Sequence, residues 1–279
     1  MLKKTMFRNY SSNNLNNQNN ALVTQIYDTY RQQRSNIDYN FNTYLINKYT
    51  LHFNKKSNFW SVFAVLDGIT DLSDPDTALP NSIHALQVAE GIRLSGKYND
   101  CDWMPLVGLI HDMGKILYID GCDEDGTSKT TQWGLVGDTF ITGTHLPDTL
   151  ILPELNAGNR DQKAGVNMYT AGCGLQNCSV SFGHDEYMYH LLQKNKHKLP
   201  IEAEYIVRYH SLYAWHSSNA YNWLEDETDK KMKNVVQDFN KFDLYTKNDD
   251  IPVKWTVELK VIYSNLIKKY ISETMEIYW

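Results

Sequence analysis

The stretch from 106 to 115 constrains this chain more than any other. Leu106-Val107-Gly108-Leu109-Ile110 is the apolar run that a buried helix requires, and His111-Asp112-Met113-Gly114-Lys115 follows it at once. Ionisable groups set where a helix would otherwise bury hydrocarbon need compensation, and a bound metal supplies it. Lys115 stands four residues after His111 and three after Asp112, so the three share one helix surface. Taken alone, the His-Asp pair also reads as a hydrogen-bonded helix residue or a cap. The remainder of the chain has to decide.

A chain of 279 residues with 42% hydrophobic content buries one large core or two modest ones. No Pro/Gly/Ser linker divides it, so a single domain is expected. A net charge of -6 and a pI near 5.8 argue against nucleic-acid or acidic-membrane partners, because phosphate neutralisation needs a basic face. No run approaches the length of a membrane span. The four cysteines, Cys101, Cys122, Cys173 and Cys178, form no CxxC pair, so free thiols in a reducing cytosol are expected. Lys3, Lys4 and Arg8 accompany no apolar stretch, so no secretory signal is expected; the basic, acid-free start only weakly imitates a transit peptide. A cytoplasmic protein is the expectation.

Residues 11–20 form a Ser/Asn/Gln tract with almost nothing to bury, expected to be disordered or loosely looped. That divides the chain into an N-terminal segment, 1–20, and one folded domain, 21–279. Val23, Ile26, Tyr27 and Tyr30 recur at helical spacing, and the pattern continues through Phe41, Tyr44 and Leu45 as one long helix or two. Ser57 is expected to cap a helix holding Trp60, Val62, Phe63 and Leu66, ended by Gly68. Asp71, Ser73, Asp74 and Asp76 crowd beside Pro75 in an acidic turn. Pro80 then opens a helix with Ile83, Leu86, Ala89 and Ile92 as its stripe and His84 in its first turn.

Asp102 is expected to cap a helix that runs through the central stretch to about Ile119, followed by a surface loop from Asp120 to Asp125. Residues 132–140 mix aromatic, β-branched and glycine residues, which predicts a looped segment approaching something closely. Helix resumes over Leu175 to Lys194, interrupted at Gly183-His184-Asp185. Pro200 fits the first turn of a helix that carries His210 one turn beyond Ile206. The last helices hold Met232 to Phe242 and Val257 to Tyr270. Asp243, one turn beyond Phe239, is an odd place for a carboxylate without a partner.

The ionisable residues in or beside apolar helix faces are therefore His84, His111, Asp112, His184, His210 and Asp243. Four imidazoles and two carboxylates suit two iron or manganese ions bridged by one carboxylate, with positions open for oxygen or substrate. A lone zinc would need only three or four of them. Singly, His84 and His210 also read as ordinary helix histidines, and Asp243 as a cap or ion-pair partner. Because His184-Asp185 repeats the dipeptide at His111-Asp112, spacing leaves open which pair would bridge. His52, His145, His190, His197 and His216 lack comparable apolar settings and read as structural or exposed.

The order His, His-Asp, His, His, Asp resembles the helical His-Asp domain superfamily. Around it stand Phe-Arg-Asn-Tyr at 7–10, Asp-Leu-Ser-Asp-Pro-Asp at 71–76 and Leu-Pro-Asn-Ser-Ile-His-Ala-Leu-Gln-Val-Ala-Glu-Gly-Ile-Arg at 79–93. Gln-Trp-Gly-Leu-Val-Gly-Asp-Thr-Phe at 132–140, Ser-Phe-Gly-His-Asp-Glu-Tyr-Met-Tyr at 181–189, Arg-Tyr-His-Ser-Leu-Tyr-Ala-Trp-His at 208–216 and Phe-Asn-Lys-Phe-Asp-Leu-Tyr-Thr-Lys at 239–247 follow. As an ordered set covering most of the chain, these strings resemble the myo-inositol oxygenase family.

The resemblance implies an all-α, single-domain helical bundle of the His-Asp type with a buried dinuclear centre. It implies an enzyme that consumes one O2 to open the ring of myo-inositol, releasing D-glucuronate and water in the entry step of inositol catabolism. Two iron ions per chain are implied, as a mixed Fe(II)/Fe(III) pair: one on His84, His111, Asp112 and Asp243, the other on His184 and His210, with Asp112 bridging. Asp185 matches no ligand. Lys115 is implied as catalytic beside Asp112, and Arg8, Asp71, Ser73, Lys115, Gly137, Asp138, His210 and Ser211 as substrate contacts. These types suit a polyol, which offers only hydroxyls. The partners expected are myo-inositol and O2, in a monomer.

The chain departs from the family in a longer segment at 120–131, in the Asn-rich tract and at 271–279. The main alternative is a metal-dependent phosphohydrolase of the broader superfamily, with two ions activating water against a phosphate ester. It would want extra Arg and Lys where this chain has Asp71, Ser73 and Asp138. Retention of six ligand types and Lys115 argues against a non-catalytic scaffold. A related inositol isomer as substrate stays open.

Overall fold

Stops and caps set the helices of this chain as much as periodic runs do. The computed structural model describes residues 20–70, 80–245 and 254–279. The expectations for Arg8, for 11–19 and for the acidic turn with Asp71 and Ser73 lie outside the described residues.

The first periodic region forms two helices, α1 (Asn20–Asn36) and α2 (Tyr39–Thr50). Asp38 separates them in an extended conformation, and its Oδ1 accepts the Phe41 N–H at 2.8 Å, an N-cap that restarts the helix. A three-residue strand, β1 (Lys56–Asn58), leads into α3 (Phe59–Phe63). The cap of α3 is Asn58, which accepts from Trp60 N, and not Ser57. Ser57 is instead paired with Ile277 across a two-stranded antiparallel ribbon formed with β2 (Glu276–Tyr278). Three residues per strand are too few for alternation to show in the sequence. Among the described residues the rest of the regular structure is helical, and the all-α class holds.

Next come α4 (Asn81–Leu94), α5 (Trp103–Ile110), α6 (Arg160–Ala164), α7 (His184–Lys194), α8 (Ile201–Tyr209), α9 (Tyr213–His216), α10 (Glu227–Tyr245) and α11 (Val257–Tyr270). α4 and α5 pack almost backbone to backbone, because Gly108 lacks the Cβ that would sit 2.9 Å from Ala89 Cα. Leu86 and Ile92 of α4 and Leu106, Val107, Leu109 and Ile110 of α5 are fully buried there, each contributing roughly 1.5–3 kcal/mol. α10 crosses α8 and α4 and buries Val236 and Phe239.

The helix expected to reach Ile119 ends at Ile110, and the chain tightens into a 3-10 turn over Met113–Ile119. Asp112 lies between them at φ -92°, ψ 1°, a sparsely allowed region frequented by active-site residues. Asp102 does not cap α5 with its side chain; Lys269 and Tyr270 of α11 draw its carboxylate away. The interruption at 183–185 is the start of α7, and Pro200 stands just outside α8 as its cap residue.

The loop at 120–125 is only partly at the surface. Asp125 is buried and accepts from Lys48 at 2.7 Å and Tyr49 at 2.8 Å, both on α2. That pairing folds the insertion back onto the body of the protein. All four cysteines are free thiols, as expected. Among the described residues, no helix is long and apolar enough to cross a membrane.

Candidate metal centre

Helix ends, more than helix faces, bring the ionisable residues together. His111 is the residue after α5, His210 the residue after α8, and His184 the first residue of α7. His84 lies in the first turn of α4 and Asp243 in the last turn of α10. Asp243 Oδ1 is 3.1 Å from His84 Nε2 and 3.3 Å from His111 Nε2. Asp112 Oδ1 is 3.0 Å from His184 Nε2, 3.6 Å from His210 Nε2 and 3.7 Å from His111 Nε2. Two overlapping groups, His84/His111/Asp243 and His111/Asp112/His210, each bring their ligand atoms within 4.8 Å of one another. His84 is 25% exposed where His111 is 1%, so the cluster opens on the His84 side.

Backbone carbonyls decide which imidazole nitrogen faces the cluster. His111 Nδ1 donates to Gly108 O at 2.9 Å, His184 Nδ1 to Leu135 O at 3.2 Å, and His210 Nδ1 to Val207 O at 3.0 Å. A carbonyl only accepts, so Nδ1 carries the hydrogen and the neutral ring aims an Nε2 lone pair inward. With both rings neutral, His184 and His210 point two lone pairs at each other across 3.2 Å, so either a proton or a metal ion has to lie between them. His111 Nε2, buried, lacks any partner with hydrogen-bond geometry. Imidazole and carboxylate donors arranged in this way fit iron or manganese.

The charges agree. Burial alone would raise the Asp112 and Asp243 carboxyls, but Lys115 and His111 around the first, and His111 and His84 around the second, hold both well below the ordinary range. Burial alone would lower His210, but Asp112, Asp185 and Asp243 outweigh it and carry the ring up to about 9. Without metal the pocket therefore takes up a proton at His210, which a metal must displace. Apparent metal affinity is expected to climb with pH until about 9 and level off above. Calorimetric metal titrations in buffers of unequal ionisation enthalpy check this, and an affinity flat between about pH 6 and 8 would contradict it.

Of the substrate-side expectations, Lys115 and Ser211 adjoin the cluster. Lys115 is buried, with Nζ 2.9 Å from Asp112 Oδ2. Ser211 follows His210, and its carbonyl accepts the Thr139 N–H at 3.0 Å. This ties the 137–139 turn to the ligand helix. A Cβ on Gly137 would meet nothing nearer than Ser211 Oγ at 3.9 Å, so the backbone there is open to a ligand. Asp138 is buried in the left-handed region at φ 56°, and its Oδ2 accepts the Ile151 N–H at 2.7 Å.

Several positioning residues escaped the sequence reading. Arg208 binds Glu186 through two nitrogens, at 2.7 and 2.9 Å, joining α7 to α8 two residues from His184 and from His210. Burial alone would raise Glu186, but Arg208 and His190 hold it at about 2. His216, read only as structural or exposed, is fully buried, and its Nε2 donates to His210 O at 3.0 Å, with Asn240 Nδ2 on the same carbonyl at 3.3 Å. A charged residue two positions from each of His184 and His210 was the available signal. Asp185 joins neither ligand group; its Oδ2 is buried without a hydrogen bond, and burial pushes its carboxyl up.

A helical fold that converges four histidines and two aspartates on one buried point defines a metal-binding protein of the His-Asp type. The profile of the family described as myo-inositol oxygenase matches residues 23–279. The chain is 39% identical over 279 residues to inositol oxygenase of Sus scrofa, covering 96% of this chain and 90% of that protein. It is 38% identical over 275 residues to the Homo sapiens protein of that name, covering 96% and 89%. The corresponding figure for Dictyostelium discoideum is 36% over 281 residues, covering 98% and 89%. The chain belongs to the myo-inositol oxygenase family. The phosphohydrolase alternative is not favoured.

Proposed function

We propose that this chain is an inositol oxygenase that opens the ring of myo-inositol with one O2, yielding D-glucuronate and water at the entry to inositol catabolism. The observation that carries the reading is Asp112, whose Oδ1 lies within 3.0 to 3.7 Å of three imidazole nitrogens inside a chain of this family. His84, His111, Asp112 and Asp243 would hold one iron ion and His184 and His210 a second, with Asp112 shared. Two irons per chain, Fe(II)/Fe(III) in the active form, follow from the same reading. Once bound, they would supply Lewis acidity toward the ring hydroxyls and electrons for O2.

The chain's own groups do the rest. Lys115 Nζ, held 2.9 Å from Asp112 Oδ2, is a proton donor and acceptor beside whichever hydroxyl approaches that carboxylate, and as an ammonium it favours the alkoxide. Ser211 and the open backbone of Gly137 form a polar wall for the ring, and Asp138 accepts a hydroxyl. Arg8, Asp71 and Ser73 are assigned to the remaining hydroxyls on the family resemblance. Residues 21–279 act as one catalytic domain after the 1–20 segment. The protein on this reading is a cytoplasmic monomer; the free thiols accord with that compartment and the acidic net charge with the lack of nucleic-acid or membrane partners.

The test is anaerobic loading with Fe(II), then myo-inositol and O2, with glucuronate and oxygen uptake followed together. One glucuronate per O2 is expected. Two bound irons with no glucuronate would defeat the reading and direct attention to phosphate esters.

A further inference from the structure

Arg34, near the end of α1, is fully buried, and its Nε has no hydrogen-bond partner. The surrounding groups nevertheless place it with care. Nη2 donates to Ile151 O at 3.0 Å, and the guanidinium lies 4.9 Å over the Phe140 ring. The N–H of Ile151 donates in turn to Asp138 Oδ2 at 2.7 Å. One residue, Ile151, is thus held at its carbonyl by a cation and at its amide by a carboxylate. Burial disfavours the charged form of Arg34, and the carboxylate opposing that effect is Asp138. Phe140, under the guanidinium, lies two residues from Asp138 on the turn that Thr139 ties to Ser211.

A guanidinium removed from water is tolerated where an opposite charge is near and fixed. Here the opposite charge, Asp138, is linked to the guanidinium through Ile151. Asp138 occupies a left-handed conformation that an Asp tolerates without preferring, so local propensity does not orient it. The Ile151 amide, whose residue Arg34 holds at the carbonyl, contributes to that orientation.

We propose that Arg34 is a positioning residue for substrate recognition, fixing the Asp138 carboxylate and the 137–139 turn through Ile151 and thereby setting which ring hydroxyl that turn reads. This rests on the inositol oxygenase reading above. A polar site built for hydroxyls rejects misplaced ones strongly, so loosening the carboxylate acts on substrate affinity and isomer choice before it acts on turnover.

The experiment uses the iron-loaded full chain carrying Arg34→Met, Arg34→Lys, Asp138→Asn or the Arg34→Met/Asp138→Asn pair. Steady-state kinetics with myo- and scyllo-inositol are read beside the anaerobic thermal shift produced by myo-inositol. Arg34→Met is expected to raise KM for myo-inositol about tenfold with kcat held within about threefold, and to narrow the preference between isomers. Arg34→Lys should fall between it and the unsubstituted chain. The double variant should do no worse than Asp138→Asn alone, since both changes disable one contact. Unchanged KM and isomer preference, additive losses in the pair, or a fall in kcat at constant KM would each overturn the proposal. Should Arg34→Met not fold, Arg34→Lys carries the test, and an unaltered KM and isomer ratio there overturns it. If the unsubstituted chain is neither stabilised by myo-inositol nor active on it, the functional reading fails and the proposal falls with it; with that chain active, a negative result counts against Arg34 alone.

Discussion

Asp112→Asn is expected to give a folded protein that retains less than one iron per chain and loses about a thousandfold or more in turnover. The amide matches the carboxylate in shape and removes only its charge. Three imidazoles now look toward Asp112 Oδ1 and the Lys115 ammonium toward Oδ2, at 2.9 Å. Without the negative charge, the cations that would crowd this point are opposed only by Asp243 and more distant groups. The buried Lys115 also loses its counter-charge, so denaturant unfolding should register a loss of about 3 kcal/mol. Iron content near two per chain in the variant would sink the assignment of Asp112 as the shared ligand.

Gly114→Ala should be the most damaging of the small substitutions. Its Cβ would fall 1.8 Å from His184 O and 2.7 Å from His184 C. Those are backbone atoms, and no side-chain rotation relieves the overlap. Either the 3-10 turn unwinds, taking Lys115 and Asp112 with it, or α7 backs away and removes His184 from Asp112. The expected cost is about 3 kcal/mol or more, together with weakened iron binding. Thermal unfolding and metal stoichiometry on one preparation would check both; a Tm within about 2 °C of the parent with full iron would show that the close approach is unimportant.

Residues whose neighbours in sequence are also their neighbours in space were readable in advance. The stripe of Leu86, Ala89 and Ile92 and the apolar run into His111 announced α4 and α5, and ionisable groups in or beside such runs marked His84, Asp112 and Asp243 as candidates, with an ordinary reading left open for each taken singly. The stop at Ile110 was not readable. Its local sequence continues well as helix, and the reason for tightening lies across the fold, where Gly114 meets the His184 carbonyl. Asp102 looks like a cap until Lys269 and Tyr270 arrive from α11. Asp125 looks solvated until Lys48 and Tyr49 face it. Glu186 with Arg208, and Arg34 with Ile151, pair between separate segments, and periodicity along one segment carries no sign of them.

The span of the cluster along the chain has a consequence for how the protein is made. His84 Nε2 and Asp243 Oδ1 are neighbours at 3.1 Å yet stand 159 positions apart. A nascent chain that has emerged through His210 already exposes every histidine of the cluster, but the carboxylate that closes the His84/His111 group has still to be synthesised. Closing the metal site that these residues would form therefore waits on Asp243, and its assembly doubles as a check that the chain has been translated and folded at least that far.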